Sequence, residues 1–409
     1  MNCREMGENM IDRIKRFAVR NQITYALIYV CYMIYEKGIS LLYFLMRILP
    51  VNNKKIVFTS AKGKRYGDNP MYISDELLKR KKDYELVWLL DQNVTADIPK
   101  EIKRVDYTWK NVIYELVTSK VWVDSNMKYA GFLKRKNQLY IQTWHGSYGI
   151  KKIGGDLGEK LPMIDKKSHK YNSKKTDCMI SNSQRTTEIY RRAFWYSGEV
   201  LEYGSPRNDL FFSDFKECKK KVYDHFGLTG QKIVLYAPTY RNNYRTDDFN
   251  LDYMRLLSTL SDKFGGEWVV LIRLHPNNIS DAGHFIKYTN NVMNASNYSV
   301  MQELLVVADV LITDYSSCMF DFATTKKPCF LYATDIERYN AERGNYFELD
   351  ELPFPLAENN KQLEEVISFF DQEAYIRELD KLFSEVGLNE TGHASEKVAD
   401  YIEEWMVNQ

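Results

Sequence analysis

Several chemistries have no signature in these 409 residues. No strand-like run is followed by G-x-G-x-x-G, so the usual dinucleotide-binding turn is absent, and there is no Walker-type phosphate loop. H-E-x-x-H is missing too, and Asp247-Asp248 lacks strand context, so no metal site is expected. Nothing in the chain asks for a cofactor. The six cysteines (Cys3, Cys31, Cys178, Cys218, Cys318 and Cys329) are scattered and form no C-x-x-C. That spacing suits neither a zinc site nor a disulfide framework and fits a reducing, cytosolic setting. Charge of one sign is lacking as well: 56 Lys+Arg against 55 Asp+Glu leaves a net charge of +1. Such a balance gives no argument for nucleic-acid binding. No internal repeat or low-complexity stretch is visible, and no uninterrupted apolar run reaches the ~20 residues of a transmembrane helix.

What is present is an ordinary globular composition, 44% hydrophobic and 27% charged, over enough residues for two cores. The amino-terminal segment differs from the rest. Arg13, Lys15, Arg16 and Arg20 precede an apolar run from Ile23 to Tyr35; Glu36, Lys37 and Gly38 interrupt it, and a second run from Ile39 to Leu49 ends at Pro50. No small-residue cleavage site follows, so a secretory leader is not expected. Two Tyr-rich interfacial helices flanked by basic residues are expected, lying on a membrane surface. Buried packing helices and a single tilted span are the alternatives.

After Pro50 short β-rich runs alternate with helical patterns, as in Lys55–Ser60, Met71–Lys82, Tyr84–Leu90, Trp109–Ser119 and Lys120–Asp124. The pattern restarts beyond Gly204-Ser205-Pro206 with Lys216–Phe226, Lys232–Tyr236 and Trp268–Arg273. Alternation of this kind implies parallel sheets covered by helices on both faces. The expected class is therefore α/β, with two doubly wound lobes and a cleft between them. The expected division is membrane-associating helices over 1–50, a first lobe over 51–205, a second over 206–390 and a terminal helix over 391–409.

Four segments end strand-like runs in polar tips: Gln142–Ser147 (Q-T-W-H-G-S), Ala237–Arg241 (A-P-T-Y-R), Arg273–Pro276 (R-L-H-P) and Ile312–Ser317 (I-T-D-Y-S-S). Open α/β sheets bind ligands beyond such strand ends. His145 is suited to proton transfer near neutral pH, with Gly146 permitting a sharp turn and Lys151 and Lys152 nearby. A strand-capping histidine is the plainer alternative. Arg273 and His275 fall on one strand face and form a candidate anion site, or else an ordinary strand-to-loop junction. Thr313, Asp314, Ser316 and Ser317 open a helix whose free N–H groups suit a phosphate, or are simply capped. Asp321 lies one turn further on, facing the site or solvent. Thr239 and Arg241 follow Pro238, where Arg241 could neutralise phosphate. Arg207 and Asp209 lie at the crossing between lobes, as ligand contacts or as an ion pair holding the lobes together. His169, His225, His284 and His393 read as surface residues.

In collinear order, Q-T-W-H-G-S…K-K-I-G-G-D, G-S-P-R-N-D, L-Y-A-P-T-Y-R, R-L-H-P and I-T-D-Y-S-S-C-M-F-D-F-A resemble the CDP-glycerol glycerophosphotransferase family of teichoic-acid primases and polymerases, from about Gln142 to Ala323. The resemblance implies a GT-B architecture attached peripherally to the cytoplasmic face of a bacterial membrane. It implies transfer of a polyol phosphate from a CDP-linked donor to a hydroxyl of a lipid- or glycan-linked acceptor, releasing CMP. By the same resemblance His145 matches the base-like histidine, His275 the histidine beside the donor pyrophosphate, and Thr313, Ser316 and Ser317 the phosphate cradle. Two positions depart from the family pattern: Leu274 stands where R-P-H-P is usual, and Thr391-Gly392-His393-Ala394-Ser395 where D-G-x-A-S is common. A nucleotide-sugar glycosyltransferase, a CDP-ribitol-dependent enzyme and a non-catalytic tethered binding protein are the alternatives.

Overall fold

The computed structural model describes residues 22–128, 131–239, 250–274, 286–336 and 344–408. Arg13, Lys15, Arg16 and Arg20, together with Arg241, His275 and His284, lie outside the described residues.

The first sheet has seven parallel strands: β1 Asn52–Thr59, β2 Glu85–Leu90, β3 Lys103–Asp106, β4 Ser119–Asp124, β5 Leu139–Gln142, β6 Cys178–Ile180 and β7 Glu199–Leu201. They lie in the order β3-β2-β1-β4-β5-β6-β7. The second has six: β8 Lys232–Ala237, β9 Trp268–Ile272, β10 Val292–Asn294, β11 Val310–Thr313, β12 Cys329–Tyr332 and β13 Leu356–Ala357, in the order β10-β9-β8-β11-β12-β13. Each order reverses once, between β1 and β4 and between β8 and β11. This is the two-sheet GT-B-like α/β architecture, and the reversals place one crevice at the carboxyl end of each sheet.

The central strands read as continuous apolar runs because helices cover both faces, whereas the edge strand β3, K-R-V-D, is largely exposed. β4 and β11 are buried at every residue. Trp88 and Trp122, fully buried, keep their indole N–H groups satisfied, Trp88 on Ser74 Oγ at 3.1 Å and Trp122 on Leu116 O at 2.8 Å. Helices of the first lobe are α1 Gln22–Met46, α2 Asp68–Lys79, α3 Trp109–Thr118, α4 Met163–Lys175 and α5 Gln184–Ala193. Then come α6 Lys216–Phe226, α7 Tyr253–Phe264, α8 Met301–Val307, α9 Cys318–Ala323, α10 Asn360–Ser368, α11 Gln372–Val386 and α12 Ala394–Val407.

Helix α1 corrects the expectation of two interfacial helices. It runs unbroken for 25 residues through Glu36, Lys37 and Gly38. Glu36 does not break it because its carboxylate turns inward to pair with Lys167 of α4. Ser40 Oγ donates to Gly131 O at 2.9 Å and Arg47 to Lys134 O at 3.0 Å, so the helix is tied along the first lobe. Its Ala26–Met46 portion is also long and apolar enough to cross a membrane by length and composition. Helix α4, whose composition is mostly polar, was not foreseen as a helix. His169 on it is also less exposed than expected: its ring meets Phe194 edge-on at 5.5 Å, and burial lowers its pKa.

The chain returns to the first lobe at its end. Val398, Ala399 and Ile402 of α12 share a core with Ile73 and Leu77 of α2. Arg80 adds contacts to Asp400 at 2.7 Å and Glu403 at 2.9 Å. Asp209 starts this helix, its carboxylate accepting from the Ala394 and Ser395 N–H groups at 2.9 and 2.7 Å. That use of Asp209 is structural, which removes it from the expected ligand contacts. Replacing Asp209 by Ala should cost about 0.5–2 kcal/mol, the range for a lost helix cap. Chemical denaturation checks this; an unchanged midpoint would show that the cap carries no weight.

Candidate active site

Beyond β1, β4 and β5 three loops converge around His145. The turn that presents it is made by Trp144, whose φ is +54°, and not by Gly146 as the sequence suggested. A non-glycine residue in that region is strained and needs support from its surroundings. Support is dense here. Gln142 Oε1 accepts from Trp144 N at 2.9 Å, and Asn69 Nδ2 donates to the carbonyls of Thr143 and Trp144 at 3.4 and 3.3 Å. Arg207 Nη1 donates to His145 O at 3.0 Å.

His145 is exposed, its ring tilted 30° against that of Trp144 with centroids 4.4 Å apart. Its Nδ1 lies 2.9 Å from Ser125 O. A carbonyl only accepts, so Nδ1 carries a proton, and in the neutral ring Nε2 presents the lone pair. That tautomer is the one a general base needs.

Arg207 is the hub of the site. Buried at 4% exposure, it pairs with Asp68 of the first lobe at 2.7 Å and with Asp321 of α9 in the second at 3.0 Å. Burial opposes its charge, but Asp321 and then Asp68 more than offset this and hold its pKa above the usual range. Burial likewise works to raise Asp68, yet Arg207 first and His145 next keep that carboxyl below its usual value. Asp321 also accepts from Ser147 Oγ at 2.5 Å, so it is neither solvated nor a free ligand. Arg207 forms an ion pair between the lobes, with Asp68 and Asp321 as its partners rather than Asp209.

In the second lobe the ends of β8 and β11 sit side by side, Thr313 opposite Ala237. Thr313 is fully buried and its hydroxyl donates to Ala237 O at 2.7 Å. It points into the sheet, which takes it out of the expected phosphate cradle. Asp314 accepts from Thr239 N at 2.9 Å, from the Thr239 hydroxyl and from Tyr315 N at 2.6 Å, so Asp314 and Thr239 shape the loop. Ser316 and Ser317 stay partly exposed at its tip. The helix behind them, α9, has only 6 residues, shorter than the sequence pattern suggested. Arg273 is half-buried and donates to the carbonyls of Ala295 and Tyr298 at 3.3 and 2.5 Å. Burial, with Arg65 of the first lobe close by, pushes its pKa down to about 10.

Lys151 and Lys152 build a seam between the lobes. Lys151 pairs as an isolated bridge with Asn345, and Lys152 N donates to Gly344 O at 2.9 Å. Asp156 of the same segment takes Arg192 at 2.8 Å and the Tyr346 hydroxyl at 2.6 Å. Sequence reasoning missed Asp68, Asn69 and Arg65. All sit in A-K-G-K-R-Y-G-D-N after β1, where two glycines and three basic residues follow a strand; that was the available signal.

Comparison with known proteins agrees with this architecture. Residues 41–404 match the family model described as CDP-Glycerol:Poly(glycerophosphate) glycerophosphotransferase. A teichoic acid poly(glycerol phosphate) polymerase from Bacillus spizizenii W23 is 32% identical over 372 residues, 83% of this chain and 93% of that protein. A teichoic acid poly(ribitol-phosphate) polymerase from the same strain is 30% identical over 88% of this chain, which spans 58% of that relative's length. Among solved structures, a variant of the wall teichoic acid polymerase TagF soaked with CDPG superposes with a TM-score of 0.78 at 28% identity, covering 95% of this chain and 98% of that one.

The crossing between lobes also carries a titratable group. Glu390 accepts from Ser205 N, Asn182 Nδ2 and Asn208 Nδ2, each at 2.9 Å. Packing around its carboxylate outweighs these bonds and pushes its pKa up to about 7. A carboxyl raised in the folded state stabilises the fold fully below its unfolded value and loses that contribution as pH rises through the folded one. Thermal melting between pH ~5 and ~8 should therefore show about 1–2 kcal/mol of stability lost toward the alkaline side. Glu390→Gln should flatten that slope; an unaltered slope would assign it to other groups.

Proposed function

The chain belongs to the CDP-glycerol:poly(glycerophosphate) glycerophosphotransferase family, and on that premise we propose that it transfers a polyol phosphate from a CDP-linked donor, CDP-glycerol first, to an acceptor hydroxyl. The observation that carries this reading is His145, exposed at the carboxyl end of the first sheet with Nδ1 held by Ser125 O and Nε2 turned outward for proton transfer. The acceptor oxygen attacks the β-phosphorus and its proton passes to His145 Nε2. A new P–O bond forms, the bond from the β-phosphorus to the bridging oxygen breaks, and CMP leaves with that oxygen. Positioning and charge stabilisation supply most of the rate in such transfers. Arg273, His275 and Arg241 are assigned to the phosphate charge, with Ser316 and Ser317 on the donor side.

The acceptor is read as lipid- or glycan-linked, at the cytoplasmic face of a membrane. Support comes from α1. Leu27, Val30, Ile34, Leu41 and Leu45 are exposed along one face, opposite the face that meets the lobe. Beside it an open groove is lined by Tyr29, Met163, Lys166, Lys170 and Lys174. An apolar stripe next to lysines suits the surface of an anionic bilayer. A helix bonded to the lobe through Glu36 and Ser40, with Arg47 just past its end, is better placed to lie on a membrane than to cross it.

Incubation with CDP-glycerol, CDP-ribitol and UDP-sugars, watching for CMP or UMP and UDP, tests the donor; UDP release alone would favour the glycosyltransferase alternative. His145→Ala should lower turnover by ~10²-fold or more, the scale of a general base, with donor affinity nearly unchanged. Wild-type turnover in that variant would remove His145 from the mechanism. Alkaline carbonate should release the full chain from membranes, whereas retention until detergent is added would indicate a span.

A further inference from the structure

We infer that Asp68 is a positioning residue for His145, held through Arg207 by Asp321 of the other lobe, so that the lobe arrangement organises the base. The inference rests on the proposed role of His145. Asp68 begins α2 with φ +61°, a conformation that a non-glycine residue keeps only when its surroundings hold it. Its Oδ1 accepts from Asn69 N at 2.9 Å and from Arg207 Nη1 at 2.7 Å. The same Nη1 donates to His145 O at 3.0 Å, so one nitrogen joins this carboxylate to the peptide of the base. The rest of the guanidinium turns away to Asp321, Nε to Oδ2 at 3.0 Å and Nη2 to Oδ1 at 3.2 Å.

The charges make the case sharper. Asp68, Arg207 and Asp321 have side-chain exposures of 9%, 5% and 5%. Two carboxylates share one guanidinium in this nearly dry seam, and the charge on His145 adds to that of Arg207 in holding the Asp68 carboxyl below its usual value. Asp124, the other carboxylate by this loop, is already matched by Lys128 at 2.8 Å. An ionised Asp68 coupled in this way stabilises the positive charge that forms on His145 as the acceptor loses its proton. Asp321 comes from α9, so the hub closes only when both lobes contribute.

The test uses the full chain, CDP-glycerol and a synthetic lipid ending in glycerol phosphate. Asp68→Asn keeps a residue that tolerates φ > 0 and removes only the charge. Its kcat should fall by about tenfold or more, while KM for CDP-glycerol stays within about twofold. The acid limb of its rate profile should move to lower pH, because losing a nearby carboxylate lets the base stay unprotonated in more acid. Asp321→Asn should act in the same direction, and the double variant should be little worse than the weaker single one. NMR of labelled histidine gives a readout free of turnover: the His145 ring should take up its proton about half a pH unit or more lower in Asp68→Asn. Wild-type kcat with an unmoved His145 titration would overturn the inference. If the wild-type chain released no CMP from any CDP-polyol, the proposed function would fail while the NMR comparison still decided the role of Asp68.

Discussion

A buried guanidinium has to be matched or it destabilises everything around it. Arg207 meets that constraint with one carboxylate from each lobe, Asp68 and Asp321. Both lobes must therefore present their strand ends to the same point. The backbone around Arg207 is drawn into the same arrangement: its own N–H reaches Asn69 Oδ1 at 3.1 Å, and Asn69 in turn holds the loop of His145. The strained turn at Trp144 is a local consequence of that packing. An exposed imidazole on a strained loop would wander without such ties. Here its Nδ1 and its carbonyl are both fixed, and among the described residues nothing holds Nε2.

Much of the fold was legible because the strands are buried on both faces. Runs such as Lys120–Asp124 and Asp309–Thr313 read directly as β4 and β11, and Lys216–Phe226 reads as α6 to the residue. Two elements were misread for a physical reason. In α1 the charged residues look like interruptions, but a glutamate can turn inward to a lysine from another helix, and pattern alone does not reveal that partner. Helix α4 is too polar for an apolar stripe to announce it.

The site divides in the same way. His145 was visible because a histidine at a strand end is chemically conspicuous. Asp68 was not, since an aspartate after a glycine looks like any turn residue until Arg207 is placed beside it. Thr313, Asp314 and Thr239 lie where the motif suggested, yet they spend their polar groups on the loop itself. Side-chain direction at a strand end depends on the neighbouring strand, here β8, and neighbours are set by topology rather than by local sequence. The same limit applies to Asp209, which serves a helix that begins 185 residues later.

The central claim is that one buried arginine aligns the two lobes around a histidine base. The most direct test is a crystal structure of the full chain with CDP-glycerol bound. The account predicts Arg207 still bridging Asp68 and Asp321, with the donor β-phosphate facing His145 Nε2 across the space of one acceptor hydroxyl. A donor seated away from His145, or an Arg207 that has released either carboxylate when the donor binds, would contradict it.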